Sequence, residues 1–135
     1  GEYHVGVCIN TLCAVMGGDE IYNSLTNHLG IENHETTKDG KVSIERIECN
    51  AACDFAPVVM VNWEFFDNQT PQSVRDLVDG ARNGNPPAPT RGPKVLRTWK
   101  ENSAVLAGIS DGLSGEGVAA GEPSKLGLKL SKEGK

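Results

Sequence analysis

The spacing of hydrophobic residues predicts short strands that alternate with helices along the first part of the chain. β-branched and aromatic residues with few charges predict strands over residues 3–9 and 42–48. Between them, hydrophobic residues recur every fourth position, which predicts a helix over residues 14–29. Gly30 follows this helix and is typical of a helix C-terminus. The chain therefore begins with a strand–helix–strand unit.

The next part of the pattern predicts a hairpin and a second helix. Strand patterns over residues 58–61 and 63–66 meet at Asn62, which indicates a tight turn between them. Thr70 precedes a proline, and a hydroxyl cap followed by proline is typical of a helix start. We expect this helix to end at Gly80. The order of elements predicts an α/β fold, a small mixed sheet flanked by helices with a thioredoxin-like layout.

Charge and composition change near residue 84, which predicts a domain followed by a tail. Residues 1–83 hold 5 Lys and Arg against 13 Asp and Glu, a net charge of −8. Residues 84–135 hold 8 against 5, a net charge of +3, and carry 9 of the 16 Gly and 5 of the 7 Pro residues. We therefore expect a domain over residues 1–83 and an extended, basic, Pro- and Gly-rich tail over residues 84–135.

Two interpretations of the tail stay open. Val95, Leu96 and Trp99 could anchor its first half on the domain. Residues 108–123 are rich in Gly and Ser and cannot pack much. The segment 108–135 is therefore either a solvated terminus or an arm that becomes ordered against another subunit.

Composition argues against several classes of function. The net charge of −5 over 135 residues makes nucleic acid a poor main partner. No stretch approaches 18 apolar residues, so no membrane-spanning helix is predicted, and the first residues show no signal peptide. Phosphate-binding glycine motifs and Ser/His/Asp arrangements are absent from the sequence, so we predict no catalytic residues. His4, His28 and His34 do not stand at metal-ligand spacing.

Four cysteines carry the most specific chemistry in the sequence. Cys8 and Cys13 are separated by four residues, and Cys49 and Cys53 by three. Each pair follows a predicted strand, and neighbouring strands of one sheet would bring both pairs to the same edge. We expect small and apolar residues to cover the resulting site, namely Ala14, Ala51, Ala52, Phe55 and Pro57.

The cysteine spacing leaves several kinds of site open. Structural disulfides are possible, although nothing indicates secretion. A dithiol redox centre normally needs two cysteines separated by two residues, and that spacing is absent. Structural zinc sites have the right ligand count but favour tighter pairs. A [2Fe–2S] cluster needs four thiolates held by wider loops. Spacing alone places the cluster ahead of zinc, with unligated core cysteines third.

The residues around the cysteines are similar to a known family. The stretches 7–18 and 44–62 contain both cysteine pairs, and residues 70–74 match the start of the family's closing helix. Over residues 3–82 the chain resembles the family of E subunits of NADH:quinone oxidoreductase (respiratory complex I), which are thioredoxin-like [2Fe–2S] ferredoxins. The resemblance implies one [2Fe–2S] cluster with four ligands, which are Cys8, Cys13, Cys49 and Cys53.

The same resemblance implies a function in electron transfer. The chain would be part of a proton-translocating NADH dehydrogenase, exchanging one electron with the FMN of a partner flavoprotein. FMN and NADH would bind to that partner only, and the tail would pack on a partner subunit. The assembly would lie in the peripheral arm, on the cytoplasmic side of the membrane or the mitochondrial matrix side. The alternatives are the equivalent subunit of an NAD-linked formate dehydrogenase or hydrogenase, a free-standing ferredoxin, and a zinc-stabilised interaction module.

Overall fold

The structure is a computed structural model that describes residues 1–109 and 122–134. Within these residues, strands and helices follow one another in this order: β1 (Tyr3–Cys8), α1 (Thr11–Val15), α2 (Gly18–Leu29), β2 (Val42–Ile47), β3 (Val59–Val61), β4 (Glu64–Phe66), α3 (Pro71–Arg82), α4 (Trp99–Leu106) and α5 (Glu122–Lys132). A three-residue 3-10 turn covers Cys53–Phe55. None of the described helices combines the length and apolar character that crossing a membrane requires.

The four strands form one mixed sheet, as the sequence predicts, and their order in this sheet is β2-β1-β3-β4. β1 and β2 are parallel, whereas β3 is antiparallel to both β1 and β4. In the parallel pair Cys8 lies opposite Ile47, so the carboxyl ends of β1 and β2 meet at one edge of the sheet. The residues that follow these two strands are therefore placed side by side.

The sheet and its two long helices enclose one hydrophobic core. Leu25 of α2 and Val74 of α3 are fully buried, and the two helices pack against each other. The apolar stripe of each helix faces this core because its buried residues recur at helical spacing. Each such side chain contributes roughly 1.5–3 kcal/mol on burial. The remaining core is mainly aliphatic and includes Val5, Val7, Ile21, Val42, Ile44, Val59, Val61, Leu77 and Val78.

The predicted helix over residues 14–29 is wrong in one respect, because the chain forms two helices there. α1 ends before Gly17, whose φ of 111° breaks the helix, and α2 starts at Gly18. A Cβ on Gly18 would lie 2.5 Å from the carbonyl oxygen of Cys8 and 2.9 Å from that of Cys13. Glycine is required there because the start of α2 approaches the backbone of both cysteines.

The predicted end of the second helix at Gly80 is also wrong, since α3 continues to Arg82. A Cβ on Gly80 would lie 2.8 Å from the carbonyl oxygen of Asn85, so this glycine allows the returning chain to pass close to the helix. The predicted start is correct. Thr70 caps α3, and its hydroxyl accepts from the Ser73 N–H at 3.1 Å.

The predicted hairpin is confirmed, with β3 and β4 joined by a two-residue turn. Asn62 and Trp63 both have positive φ, at 49° and 71°, which matches the twist of a tight hairpin. Phe66 is buried on the core side, whereas Trp63 is 56% exposed.

The tail is only partly extended. Residues 83–98 run without a regular helix, but α4 and α5 follow where the sequence predicted extended chain. α4 forms because Thr98 and Glu101 make a reciprocal capping box. Of the predicted anchors, Leu96 alone is buried in the core. Residues 110–121, which belong to the segment interpreted as a solvated end or an arm, lie outside the described residues.

Candidate metal centre

The two cysteine pairs lie at the edge of the sheet where β1 and β2 end. Cys8 is the last residue of β1, and Cys49 follows the end of β2 by two residues. The Ile9 N–H donates to the Ile47 carbonyl at 2.9 Å, and the Cys8 N–H donates to the Val58 carbonyl at 3.2 Å. These bonds continue the strand pairing beyond the strands and hold three segments of the site together.

The first pair is joined by the five-residue helix α1. The Asn10 side chain caps this helix by accepting from the Thr11 N–H at 2.8 Å. The Ala14 N–H donates to the Asn10 carbonyl at 2.9 Å and closes the first helical turn. The turn brings the thiol of Cys13 back beside that of Cys8, so that the Cys8 thiol raises the pKa of the Cys13 thiol.

The second pair is held by a loop of small residues. Ala51 has a φ of 51°, in the left-handed region, and its N–H donates to the Cys49 Sγ at 3.3 Å. The Phe55 N–H donates to the Ala52 carbonyl at 3.0 Å and closes the 3-10 turn that begins at Cys53. Because Ala51 has only a methyl side chain, the backbone can curl around the sulfur of Cys49.

All four cysteines line one cavity of about 270 Å³. One water needs roughly 10–15 Å³ of such space, so the cavity has room for an inorganic group of several atoms. Of the residues that the sequence placed over the site, Ala51 and Ala52 line this cavity, whereas Ala14, Phe55 and Pro57 do not. The other lining residues are Asn10, Thr11, Leu12, Val15, Asn50 and Val58.

The two pairs differ in their exposure to solvent. Cys8 and Cys13 are each 3% exposed, whereas Cys49 and Cys53 are exposed. None of the four is in a disulfide, so the structural-disulfide hypothesis finds no support here. The cavity is therefore lined by one buried and one exposed pair of cysteines.

Burial raises the pKa of the Cys13 thiol to about 11. A hydrogen bond from the Val58 backbone lowers this pKa, and the neighbouring Cys8 and Cys53 thiols raise it. The Cys8 and Cys53 thiols therefore both lie near that of Cys13. A buried thiolate is costly without a compensating cation, and a metal that binds thiolates supplies that charge.

A buried amide in the cavity has no hydrogen-bond partner within the described part of the chain. The Nδ2 atom of Asn50 is buried, and no acceptor among the described residues reaches it. Leaving such a donor unsatisfied costs roughly 1–3 kcal/mol. Sulfur atoms of an iron–sulfur cluster accept hydrogen bonds of this kind. The four thiols, the orphaned amide and the volume of the cavity together fit a [2Fe–2S] cluster.

The arrangement of the thiols fits a single metal ion less well. Within residues 1–109 and 122–134, no three His, Cys, Asp or Glu side chains are arranged to hold one metal ion. A tetrahedral zinc ion needs its ligands to converge on one point, whereas two irons spread the four sulfurs over a wider core.

A family profile described as thioredoxin-like [2Fe–2S] ferredoxin matches residues 1–82, which include all four cysteines. The chain belongs to the thioredoxin-like [2Fe–2S] ferredoxin family. This membership confirms the resemblance found in the sequence and the class of cofactor that the resemblance implies.

Two solved structures confirm the fold of this ferredoxin. A thioredoxin-like [2Fe–2S] ferredoxin from Aquifex aeolicus aligns with a TM-score of 0.53 and 20% identity, covering 70% of this chain and 97% of that one. A chain of an NAD⁺-reducing [NiFe]-hydrogenase aligns with a TM-score of 0.59 and 16% identity, covering 64% of this chain and 15% of that one. Both similarities confirm the thioredoxin-like prediction.

A curated relative extends the similarity beyond the ferredoxin domain. The chain is 57% identical over 134 residues to the E subunit of the NADH-quinone oxidoreductase of Mycobacterium bovis. The alignment covers 98% of this chain and 53% of the relative, so the chain spans about half the length of the curated relatives it matches first. The tail therefore takes part in this similarity, although the family profile ends at residue 82.

The cavity of this ferredoxin has an apolar rim that the sequence did not indicate. Leu12 and Val15 of α1 line the cavity and are 42% and 81% exposed, and the adjoining Met16 is 54% exposed. Periodicity assigned most of this stretch to one long helix, which hid the fact that these side chains project beside the cysteines. Exposed apolar side chains that adjoin one another are typical of interaction surfaces.

Proposed function

We propose that this chain is the [2Fe–2S] electron-transfer subunit of NADH:quinone oxidoreductase, exchanging one electron with the FMN of a partner flavoprotein. The observation that supports this proposal most strongly is that four free cysteines line one cavity in a chain of this ferredoxin family. The relative that is named as the E subunit of that enzyme, 57% identical over 134 residues, supports the choice of assembly.

The ligands in this proposal are Cys8, Cys13, Cys49 and Cys53. A [2Fe–2S] cluster, when bound, accepts and returns one electron at a time. The side-chain amide of Asn50 and the backbone N–H of Ala51 offer hydrogen bonds toward sulfur, and this reduces the cost of the added negative charge. Ala52 and Val58 are buried and exclude water from the inner side of the cavity.

The apolar rim formed by Leu12, Val15 and Met16 is where the flavoprotein would cover the cavity. FMN and NADH remain on that partner, and this chain has no substrate site of its own in the proposal. We place the ferredoxin domain over residues 1–83, and the segment 84–135, whose Leu96 is buried in the core of that domain, would in addition pack against a partner subunit. The assembly would form part of the peripheral arm, on the cytoplasmic side of the membrane or the mitochondrial matrix side.

The equivalent subunit of an NAD-linked hydrogenase or formate dehydrogenase is the second candidate. The fold similarity to the NAD⁺-reducing hydrogenase favours it, but that similarity is at 16% identity and concerns the fold alone. A zinc-stabilised module is a weaker candidate, because no described group of three ligands is arranged around one ion.

The experiment is co-expression with candidate flavoproteins and reduction of the purified complex by NADH. We expect NADH to produce the electron paramagnetic resonance (EPR) signal of a reduced [2Fe–2S] cluster only when the flavoprotein is present. Met16→Glu should block the complex but leave the cluster spectrum of the free chain unchanged, since Met16 is 54% exposed and does not line the cavity. Asp79→Lys, a charge change on the exposed side of α3, serves as the matched surface control.

Stable binding to a hydrogenase or formate dehydrogenase flavoprotein, without binding to that of the quinone reductase, would favour the second candidate. Reduction by NADH of the isolated chain would contradict the proposal, since no FMN would then be required.

A further inference from the structure

A short piece of the tail pairs with the outer strand of the sheet. The Thr90 N–H donates to the Phe65 carbonyl at 2.9 Å, and Arg91 forms an antiparallel bridge with Phe65. The Thr90 hydroxyl oxygen accepts from the Asp67 N–H at 3.0 Å. β4 is the last strand of the sheet, so residues 90–91 cover its edge. This piece lies beyond residues 1–82, which the family profile matches.

The bridge places the Arg91 guanidinium between two phenylalanine rings. Its Cζ lies 4.1 Å from the ring centroid of Phe65 and 4.9 Å from that of Phe55. Its Nη2 donates to the Asp67 Oδ1 at 2.9 Å, and the Asp67 side chain is only 8% exposed. A planar guanidinium can stack on aromatic faces and pair with a carboxylate at the same time.

The stacking contacts account for the position of this side chain better than its hydrogen bonds do. The Nε of Arg91 is buried and has no hydrogen-bond partner in the described part of the chain. An arginine placed only for its hydrogen bonds would not leave this donor unsatisfied in a buried position. Contact with the two rings therefore determines the position of the Arg91 side chain.

The two rings lie behind different parts of the metal centre. Phe55 is the last residue of the turn that begins at Cys53. Phe65 packs against the buried cluster that includes Cys8, Cys13 and Val58. Arg91 therefore touches a residue of the exposed cysteine loop and a residue that supports the buried cysteine pair.

We infer that Arg91 is a positioning residue for the metal centre. By contacting both Phe55 and Phe65, it fixes the loop of Cys53 relative to Cys8 and Cys13. Its positive charge lies behind the cysteine loops, where it favours the more negative, reduced state of the centre. The inference rests on the proposed function, in that the four cysteines are taken as ligands of a [2Fe–2S] cluster.

The experiment compares Arg91→Met and Arg91→Lys in the full chain with its cluster. Met removes both the charge and the planar group, whereas Lys keeps the charge but cannot stack its head group flat against two rings. Arg82→Met is the matched control, because Arg82 pairs with Asp39 at the end of the sheet opposite the cysteines. The measurements are the reduction potential, the EPR line shape of the reduced cluster and the rate of iron release to a chelator.

We expect Arg91→Met to have a lower reduction potential, broader EPR lines and severalfold faster iron release. Arg91→Lys should keep a reduction potential close to that of the unmodified chain but release iron as fast as Arg91→Met. Arg82→Met should match the unmodified chain in all three measurements. If Arg91→Met does not fold, Asp67→Asn decides instead, since it loosens the guanidinium without removing it and should broaden the EPR lines.

Arg91 variants that match Arg82→Met in potential, line shape and iron release would overturn the inference while leaving the proposed function intact. Absence of a [2Fe–2S] signal from the unmodified chain would overturn the proposed function and the inference with it.

Discussion

The buried polar side chains at the two ends of the parallel strand pair, β1 and β2, differ in their hydrogen bonding. At the end where β1 begins, Asn62 is 1% exposed and fully bonded. Its Oδ1 accepts from the His4 N–H at 2.7 Å, and its Nδ2 donates to the carbonyls of Glu2 and Arg97 at 3.0 and 2.8 Å. At the other end, the Nδ2 of Asn50 is buried without a partner in the described chain.

This difference shows which end is complete within the chain. Buried polar groups in native structures are nearly always satisfied, and exceptions concentrate at functional sites. The end around Asn62 fastens the tail to the domain, because the Asn102 side chain also donates to the Asn62 carbonyl at 2.6 Å. The end around Asn50, with four thiols and an open cavity, requires a group from outside the chain.

Loss of a thiol should have the largest effect at the incomplete end. We expect Cys13→Ser to abolish the visible absorption of the cluster and most of the bound iron, because it removes a proposed ligand and leaves a hydroxyl in a buried position. Absorption spectra and iron analysis measure this. His28→Ala is the control, since His28 pairs with Asp79 outside the cavity. Equal iron content in both variants would rule out Cys13 as a ligand.

Loss of the asparagine at the complete end should cost stability but leave the cluster unaffected. Asn62→Ala leaves the His4 N–H and the Glu2 and Arg97 carbonyls without this partner, which should lower the free energy of unfolding by about 2–4 kcal/mol. Asn62→Gly keeps a residue suited to positive φ, so it measures the loss of the hydrogen bonds without adding strain to the turn. Denaturant unfolding tests this, and no loss of stability in either variant would contradict the comparison.

Removal of the orphaned Asn50 amide should raise the free energy of unfolding of the metal-free protein, whereas loss of Asn62 should lower it. Without metal, Asn50→Ala should raise the free energy of unfolding by about 1 kcal/mol, because a buried donor without a partner is removed. With the cluster bound, the same change should lower the reduction potential, since a donor toward sulfur is lost. Redox titration and thermal unfolding measure the two effects. A destabilised metal-free variant would show that Asn50 has a partner within the chain after all.

The smallest predicted effect is on acid stability and concerns the carboxylate of Asp39, near the end of the strand pair where Asn62 lies. The pKa of Asp39 is lowered from 3.8 to about 2 by the Thr37 hydroxyl, the Lys41 N–H and the Arg82 guanidinium. The stabilisation from Asp39 is therefore present above its ordinary pKa and is lost as the pH falls through about 2. Asp39→Asn should weaken the decline of the melting temperature with acid. A decline as steep as in the unmodified chain would assign this acid sensitivity to other groups.

Much of the fold and the four candidate ligands could be predicted because the relevant signals are local. The period of hydrophobic residues marks β1, β2 and both long helices, and each cysteine pair directly follows a strand. Two parallel neighbouring strands then bring the pairs together. Thr70 and Asn62 indicated a helix cap and a hairpin turn through residue types with well-known local preferences.

What the sequence did not reveal depends on contacts between distant segments. Gly17 and Gly18 divide one periodic stretch into two helices because α2 must pass close to the backbone of Cys8. Neither Asn50 nor Arg91 has a local feature that marks it. The first matters because no acceptor in the described chain reaches it, and the second because folding places it between Phe55 and Phe65. Periodicity contains no information on either property.

The most direct test of the central claim is metal and sulfide analysis of the purified chain, combined with EPR spectroscopy after chemical reduction. We predict a coloured protein with equal amounts of iron and acid-labile sulfide, and a signal from one unpaired electron per chain. A colourless protein that holds zinc, or whose reduced form gives no signal, would contradict the claim that the four cysteines bind a [2Fe–2S] cluster.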